Sequence, residues 1–247
     1  HQLGHDLFER RGRGLVLTEA GQIAFDHANE IFSTGDELLN RLSRKTGHVR
    51  TVLRVGALAT LSRNFQISFL RPVLESASVE IVVRSGSLGE LIPALETHRL
   101  DVILVNQVPL RDAATSWTAH ILDQQEVSIV GTPQRVGKAR NMVDLLRDHP
   151  IILPTAEVGF RNSFDALAER LRVRPEIIAE VDDMAMMRVL AREDIGLAVL
   201  PPIVVTDELT NGRLLEACKL PGINETFAAL TLKQKFPNPA LRALLEQ

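Results

Sequence analysis

From residue 52 onward the chain alternates short apolar runs with amphipathic stretches, and this rhythm restricts the fold more than any other feature. VLRVGA (52–57), VEIVV (79–83) and DVILV (101–105) read as strands, separated by helical patterns at 61–77 and 88–99. After a less regular middle the rhythm resumes. Strands are expected at 126–131, 151–154, 176–181, 196–201 and 225–233, with helices at 138–149, 159–172, 183–193 and 240–246. Runs that are apolar throughout belong to strands buried on both faces, as in a parallel sheet covered by helices. The expected class is therefore α/β, built as two groups of βαβ units. If the last strand and helix return to the first group, the lobes are joined twice and can hinge.

At 45 % hydrophobic, 247 residues suffice for sizeable cores. The formal charge of −3 excludes a uniformly basic nucleic-acid coat. It leaves room for a local patch, because phosphate binding needs only a few placed cations. The single cysteine, Cys218, cannot form an internal disulfide and suits a reducing compartment. The longest apolar run, 195–205, has 11 residues and two prolines, well short of the ~18 of a membrane span. With no export signal in sight, a cytoplasmic protein is expected. The chain opens on His1 in the middle of a pattern, so an upstream segment is expected.

The front of the chain is different. Thr18 precedes Glu19 and a long helical pattern, a good N-cap with an acid in the first turn, although Gly21 denies it a full capping box. Apolar residues including Phe25, Ala28, Phe32, Leu39 and Leu42 then repeat at spacings of three and four to about residue 45. Such a face fits either a core helix of a bundle or a dimerisation helix. Ala28 and Gly35 favour the second, since they let a partner helix approach. The polar stretch 43–51 reads as a linker.

Ahead of that helix, Arg10, Arg11 and Arg13 lie within four residues, and Gly12 and Gly14 give the backbone the freedom of a tight turn. Leu7-Phe8 and Leu15-Val16-Leu17 can pair as two short strands. A hairpin with a cationic tip is the shape of a wing that straddles a DNA backbone; the plain alternative is a solvated basic loop. Signals for catalysis are poor. There is no G-x-S-x-G, P-loop or H-E-x-x-H; Leu17 fills the third glycine position of a dinucleotide fingerprint, and His1 and His5 lack a third metal ligand. No enzyme activity, metal or cofactor is expected.

Taken together, L-F-x-R-x-x-R-x-x-x-L-T-x-x-G (Leu7, Phe8, Arg10, Arg13, Leu17, Thr18, Gly21) resembles the LysR-type transcriptional regulators, at the point where the winged helix-turn-helix passes into a linker helix. LRVGALATLSRNF, ELIPALETHRLDVILVN and GLAVLPP resemble the effector-binding domain of the same family. HRLDVIL and VDDMAMMRVLA are most similar to the branch that includes the regulator of the bacterial sodium/proton antiporter. The resemblance spans essentially the whole chain. It departs at the front, where only the tail of the DNA-binding domain is matched and the recognition helix is not.

The resemblance implies an end of a winged helix-turn-helix at 1–17 and a linker or dimerisation helix and hinge at 18–50. A two-lobed effector domain like the periplasmic binding proteins follows, with lobe I at 51–125 plus 225–247 and lobe II at 126–224. It implies double-stranded DNA as a partner, bound here through Arg10, Arg11 and Arg13. It further implies a homodimer through the linker helix and commonly a tetramer. Open sheets bind ligands at the carboxyl ends of their strands. That rule nominates Thr60, Ser62, Ser85 and Ser87 from the first lobe, Asn106 and Gln107 from the hinge, and Thr155, Glu157 and Asp182 from the second lobe. Hydroxyls near helix starts favour a small carboxylate-like effector, and the acidic groups leave room for an ion. Each nominee has an ordinary alternative as a cap or turn residue. A two-lobed solute-binding protein without DNA function is the other reading of the fold, and an α/β enzyme a third.

Overall fold

The computed structural model describes residues 5–11, 14–25, 27–28, 31, 35, 51–111, 115–137, 141–156, 158–233 and 238–246. They form two compact units, 1–50 and 51–247.

In the first unit, β1 (Phe8–Arg11) pairs antiparallel with β2 (Gly14–Leu17), with Arg10 opposite Leu15. The helix α1 begins at residue 19, and residues 19–25, 27–28, 31 and 35 are helical. Thr18 caps it: its Oγ1 accepts from the Gly21 N–H at 2.9 Å and donates to the Asp6 carbonyl at 2.6 Å. Gly21 is required by packing. A Cβ there would lie 1.9 Å from the Leu7 carbonyl oxygen, which the Thr18 N–H already bonds. Of the expected apolar face, Phe32, Leu39 and Leu42 lie outside the described residues, as does the linker at 43–50.

The second unit is a mixed α/β fold of two lobes on one continuous sheet. The strands are β3 (Thr51–Leu58), β4 (Val79–Gly86), β5 (Val102–Val105), β6 (Trp117–Gly131), β7 (Ile151–Pro154), β8 (Ile177–Val181), β9 (Leu197–Leu200) and β10 (Leu215–Leu232). Their order is β4-β3-β5-β10-β6-β9-β7-β8. β4, β3 and β5 are parallel, and so are β8, β7 and β9. Between the triplets run β10 and β6, antiparallel to each other and to the neighbouring triplets. The parallel sheet read from the apolar runs is corrected here to a mixed one. Both long strands pass through both lobes, and each triplet points its carboxyl ends towards the other lobe, so a strand entering from there runs against the triplet it meets.

The helices α2 (Arg63–Leu74) and α3 (Leu88–Glu96) lie in the first lobe, and α9 (Pro239–Leu245) packs there too. The second lobe carries α4 (Pro133–Val136), α5 (Met142–Asp148), α6 (Arg161–Arg170), α7 (Met184–Arg192), a 3-10 turn (Pro202–Val205) and α8 (Thr206–Thr210). β5 shows why its sequence is apolar throughout. Val102 and Leu104 join a core with Leu53, Phe65, Phe227 and Leu241, whereas Ile103 and Val105 join Leu91, Leu95 and Trp117 on the opposite face. Each such side chain, fully buried, contributes about 1.5–3 kcal/mol. Phe65 stacks on Phe227 with centroids 4.3 Å apart, fixing α2 on β10. The second lobe has its own core, around Ile152, Phe164, Met187 and Val199. Among the described residues no helix is long and apolar enough to cross a membrane.

Candidate functional site

Each parallel triplet has its first strand in the middle and its next two on either side: β3 between β4 and β5, β7 between β8 and β9. The chain thus reverses direction across the sheet at β3/β5 and at β7/β9. A crevice opens at the carboxyl ends of strands where the order reverses, because the two following connections diverge to opposite faces.

At the first of these points the Thr60 Oγ1 donates to Asn106 Oδ1 at 3.3 Å, bridging the ends of β3 and β5. Asn106 in turn donates from Nδ2 to Glu225 Oε1 at 2.8 Å. Ser62 is buried and caps α2, its Oγ accepting from the Phe65 N–H at 3.4 Å. The Gln66 amide, also buried, holds the Leu61 carbonyl at 3.1 Å and so fixes the loop from β3 to α2. Ser85 lies near the end of β4 and Ser87 just beyond it at the start of α3, but their hydroxyls are committed. Ser85 accepts from Arg63 Nη1 at 3.0 Å, and Ser87 donates to Glu90 Oε2 at 2.9 Å within a capping box. The two Ser87 bonds to Glu90 hold that carboxyl below its usual range.

At the second point, Thr155 follows β7 and its N–H bonds the Val181 carbonyl at the end of β8. Its Oγ1 is buried and has no hydrogen-bond partner among the described residues. Leaving such a group unpaired costs about 1–3 kcal/mol. Asp182 is exposed just beyond β8, while Asp183 caps α7 through the Ala185 N–H at 2.9 Å. Glu157 lies outside the described residues.

The two lobes meet at Gln107. Its amide lies along the Gly159 backbone in the second lobe, where a Cβ would come within 3.2 Å of Gln107 Oε1. A second tie joins α2 to the 3-10 turn: Asn64 Nδ2 donates to the carbonyls of Ile203 at 3.0 Å and Val204 at 3.3 Å. Beside it, an open groove of about 890 Å³ is lined by residues including Asn64, Ile67, Arg71, Gln125, Ile203 and Lys219, and by none of the eight described residues among the effector candidates expected from sequence.

Three residues here carry no signal in the sequence. Glu225 merely opens an expected strand, and Asn64 and Arg161 lie inside expected helices. Arg161 is buried at the start of α6 and binds the Pro154 carbonyl at 2.8 Å, Glu180 at 2.6 Å and Asp165 at 3.1 Å. Burial pushes its pKa down, and the bonds to Glu180 and Asp165 more than reverse this, so it stays charged. It pins the segment that carries Thr155. A buried arginine beside two carboxylates has no periodic signature, which is why the sequence hides it.

In the N-terminal unit Arg10 is exposed on β1. Arg11 ends that strand, opposite Gly14, and Arg13 lies outside the described residues.

The profile of the LysR substrate binding domain matches residues 46–247. The chain belongs to that family. It carries the effector-binding domain of a LysR-type regulator of transcription. Among curated relatives, the transcriptional activator protein NhaR of Escherichia coli is 21 % identical, over 96 % of this chain and 78 % of that protein. The transcriptional dual regulator GltC of Bacillus subtilis is 22 % identical, over 99 % of this chain and 82 % of its own length. Among solved structures, full-length CbnR complexed with its target DNA superposes with a TM-score of 0.70 at 19 % identity, covering 99 % of this chain and 84 % of CbnR. The effector binding domain of QuiR, in complex with shikimate, gives 0.58 at 18 % identity over 80 % of this chain and 94 % of that domain. Both curated relatives are named as regulators of transcription.

Proposed function

We propose that this chain is a cytoplasmic, DNA-binding regulator switched by a small carboxylate-like or ionic effector held between its two lobes. In this reading lobe I comprises 51–125 with 225–247 and lobe II comprises 126–224, closing about β6 and β10. Thr60, Asn106 and Gln107 meet the effector from one side, and Thr155, Glu157 and Asp182 from the other. Ser62, Ser85 and Ser87 act chiefly by holding α2, α3 and Arg63 in place. The observation that carries the assignment is the Thr155 hydroxyl, buried beside the second switch point and without a partner among the described residues, because a ligand oxygen there would satisfy it.

Residues 1–17 act in this reading as a wing, with Arg10, Arg11 and Arg13 on phosphates or in the minor groove, and residues 18–50 as the dimerisation helix. Effector-domain contacts that build a tetramer are supported by apolar edges. Val82 and Val83 are exposed on β4, and Ile177 and Ile178 on β8, the two outermost strands of the sheet.

The test is fluorescence anisotropy with the protein of the complete gene, on DNA just upstream of that gene and on scrambled DNA, at several salt concentrations. A strong preference for the upstream DNA is expected. Small carboxylates and sodium or potassium salts, at matched ionic strength, are then screened for an effect on that binding. Thr155→Val should weaken the response to the active compound by about tenfold, the loss of one buried hydrogen bond. Equal, weak binding to both DNAs would leave a two-lobed ligand binder. A response untouched by Thr155→Val but abolished by Asn64→Ala or Arg71→Ala would move the effector to the neighbouring groove.

A further inference from the structure

β10 leaves the register of the second lobe at Lys219, opposite Ser128, and regains it at Asn224, opposite Glu126. Glu225 is next, opposite Gln125. The ladder of β10 with β5 involves Ala228 to Leu230, and that of β6 with β9 involves Ser128 to Val130. Glu225 therefore sits on the span between the lobes, where a hinge would bend. It is 4 % exposed. Through Asn106 and Thr60 its carboxyl is linked by two hydrogen bonds to both sides of the first switch point.

Among the described residues no charged group bears on it. Asn106 reaches it from the end of β5, and Gln125 faces it from β6. The segments 58–62, 106–108 and 202–205 carry no titratable side chain. The nearest charges on the paired strands are engaged elsewhere: Asp123 accepts from the Gln125 amide at 2.7 Å, and Glu126 pairs with Lys219 at 3.1 Å. On the α2 side, Arg63 is bonded to Ser85. Burial pushes the Glu225 carboxyl up to about 8, and the hydrogen bond from Asn106 opposes this only in part.

We propose that Glu225 is a proton-operated latch: neutral, it keeps the lobes closed over Asn106 and Thr60, and ionised, it opens the hinge to regain water. Ionised, a carboxylate this deeply buried beside the Asn106 amide lacks most of its hydration in the closed form. Opening restores that hydration and returns the group to an ordinary carboxylate. Between the ordinary value of 4.5 and about 8, each pH unit then shifts the open:closed ratio by up to tenfold towards the open form. The latch goes beyond the effector reading, since it acts with no ligand present.

The test uses the whole chain without ligand. The Glu225 carboxyl is followed by ¹³C NMR, its resonance assigned by its loss in Glu225→Gln. Lobe separation is followed by pulsed electron spin resonance between labels at Glu75→Cys on the end of α2 and Glu169→Cys on α6, with Cys218→Ser. Both labelled positions are exposed. We expect titration on the alkaline side of the ordinary carboxylate range, and a second distance population that grows at least tenfold from pH 6 to 9 with the same midpoint. Glu225→Gln should hold the pH 6 distribution at pH 9. An ordinary acidic titration, an unchanged distribution in the wild type, or the same change in Glu225→Gln overturns the latch. Should Glu225→Gln not fold, the resonance is assigned through its neighbours, and disagreement between the two wild-type midpoints overturns it alone. None of these failures touches the effector reading, which the Thr155→Val response tests separately.

Discussion

Asn106 and Glu225 lie 119 positions apart in sequence and share a hydrogen bond of 2.8 Å that joins the end of β5 to the strand crossing between the lobes. The pair ties the first switch point to the hinge. It also places an ionisable group in a deeply buried position, beside an amide donor.

The first prediction concerns stability against pH. The folded pKa of Glu225 is raised from 4.5 to about 8, so between those values the folded state holds a proton that the unfolded chain has released. Stability from this group is therefore full below the unfolded value and is lost as pH rises towards about 8. Urea unfolding should show the wild type losing roughly 1 kcal/mol more per pH unit than Glu225→Gln between pH 5 and 8. Parallel curves for the two proteins would show that the carboxyl is hydrated and titrates normally.

The second concerns Arg161. Replacement by Met removes a buried cation but leaves Glu180 and Asp165 about half exposed, so neither becomes a stranded buried charge. The Pro154 carbonyl loses its partner. A cost of about 1–3 kcal/mol follows, read as a lower urea midpoint at unchanged slope. The segment after β7 should also lose hydrogen-exchange protection before the rest of the lobe does.

How much of the fold is legible in the sequence varies with the element. The run VILV announces a strand buried on both faces because its residues feed two cores in alternation, and IILP at 151–154 is bounded as it folds. The two long strands extend well beyond their expected limits. The first half of β6, from Trp117 to Gln125, is only partly buried and mixes polar with apolar residues. The first half of β10 contains Pro221 and Gly222, a turn signal, and Gly222 has φ of +75°. That signal is genuine, for it marks the excursion between Lys219 and Asn224 whose Leu220 and Ile223 fill the second core. Local patterns cannot show that the strand resumes beyond it.

Within the candidate site, strand ends are legible because parallel βαβ units dictate where loops converge. Partners are not. Thr60 and Asn106 both stand among the expected residues, yet nothing in their neighbourhoods signals that one bonds the other, or that Glu225 completes the chain. Ser62 and Ser87 prove to be caps, the ordinary role of a serine before a helix.

A third prediction tests the junction in the N-terminal unit. Gly21→Ala would place a Cβ against the Leu7 carbonyl, a backbone atom that cannot swing aside. Either the helix start or the end of the hairpin must move, at a cost of about 1–3 kcal/mol. Hydrogen exchange should show the Thr18 and Gln22 amides, both hydrogen-bonded now, losing protection while the second unit is unaffected. Unaltered protection would mean that the Leu7 carbonyl is free to withdraw.

The last prediction concerns the arginines of the hairpin. If Arg10, Arg11 and Arg13 hold phosphates, each releases condensed counterions on binding, and none reads a base edge. Replacing all three by Ala in the protein of the complete gene should weaken binding to upstream and scrambled DNA by the same factor. The slope of log affinity against log salt should fall by about 0.9 for each phosphate no longer neutralised, so by roughly 2–3 if all three engage. Exposure of Arg10 on a strand whose neighbours Phe8 and Leu15 are also exposed leaves that face of the hairpin open to such a partner. A selective loss on the upstream DNA, with the slope retained, would instead put these side chains in contact with bases, and the hairpin would then be a reading element rather than a clamp.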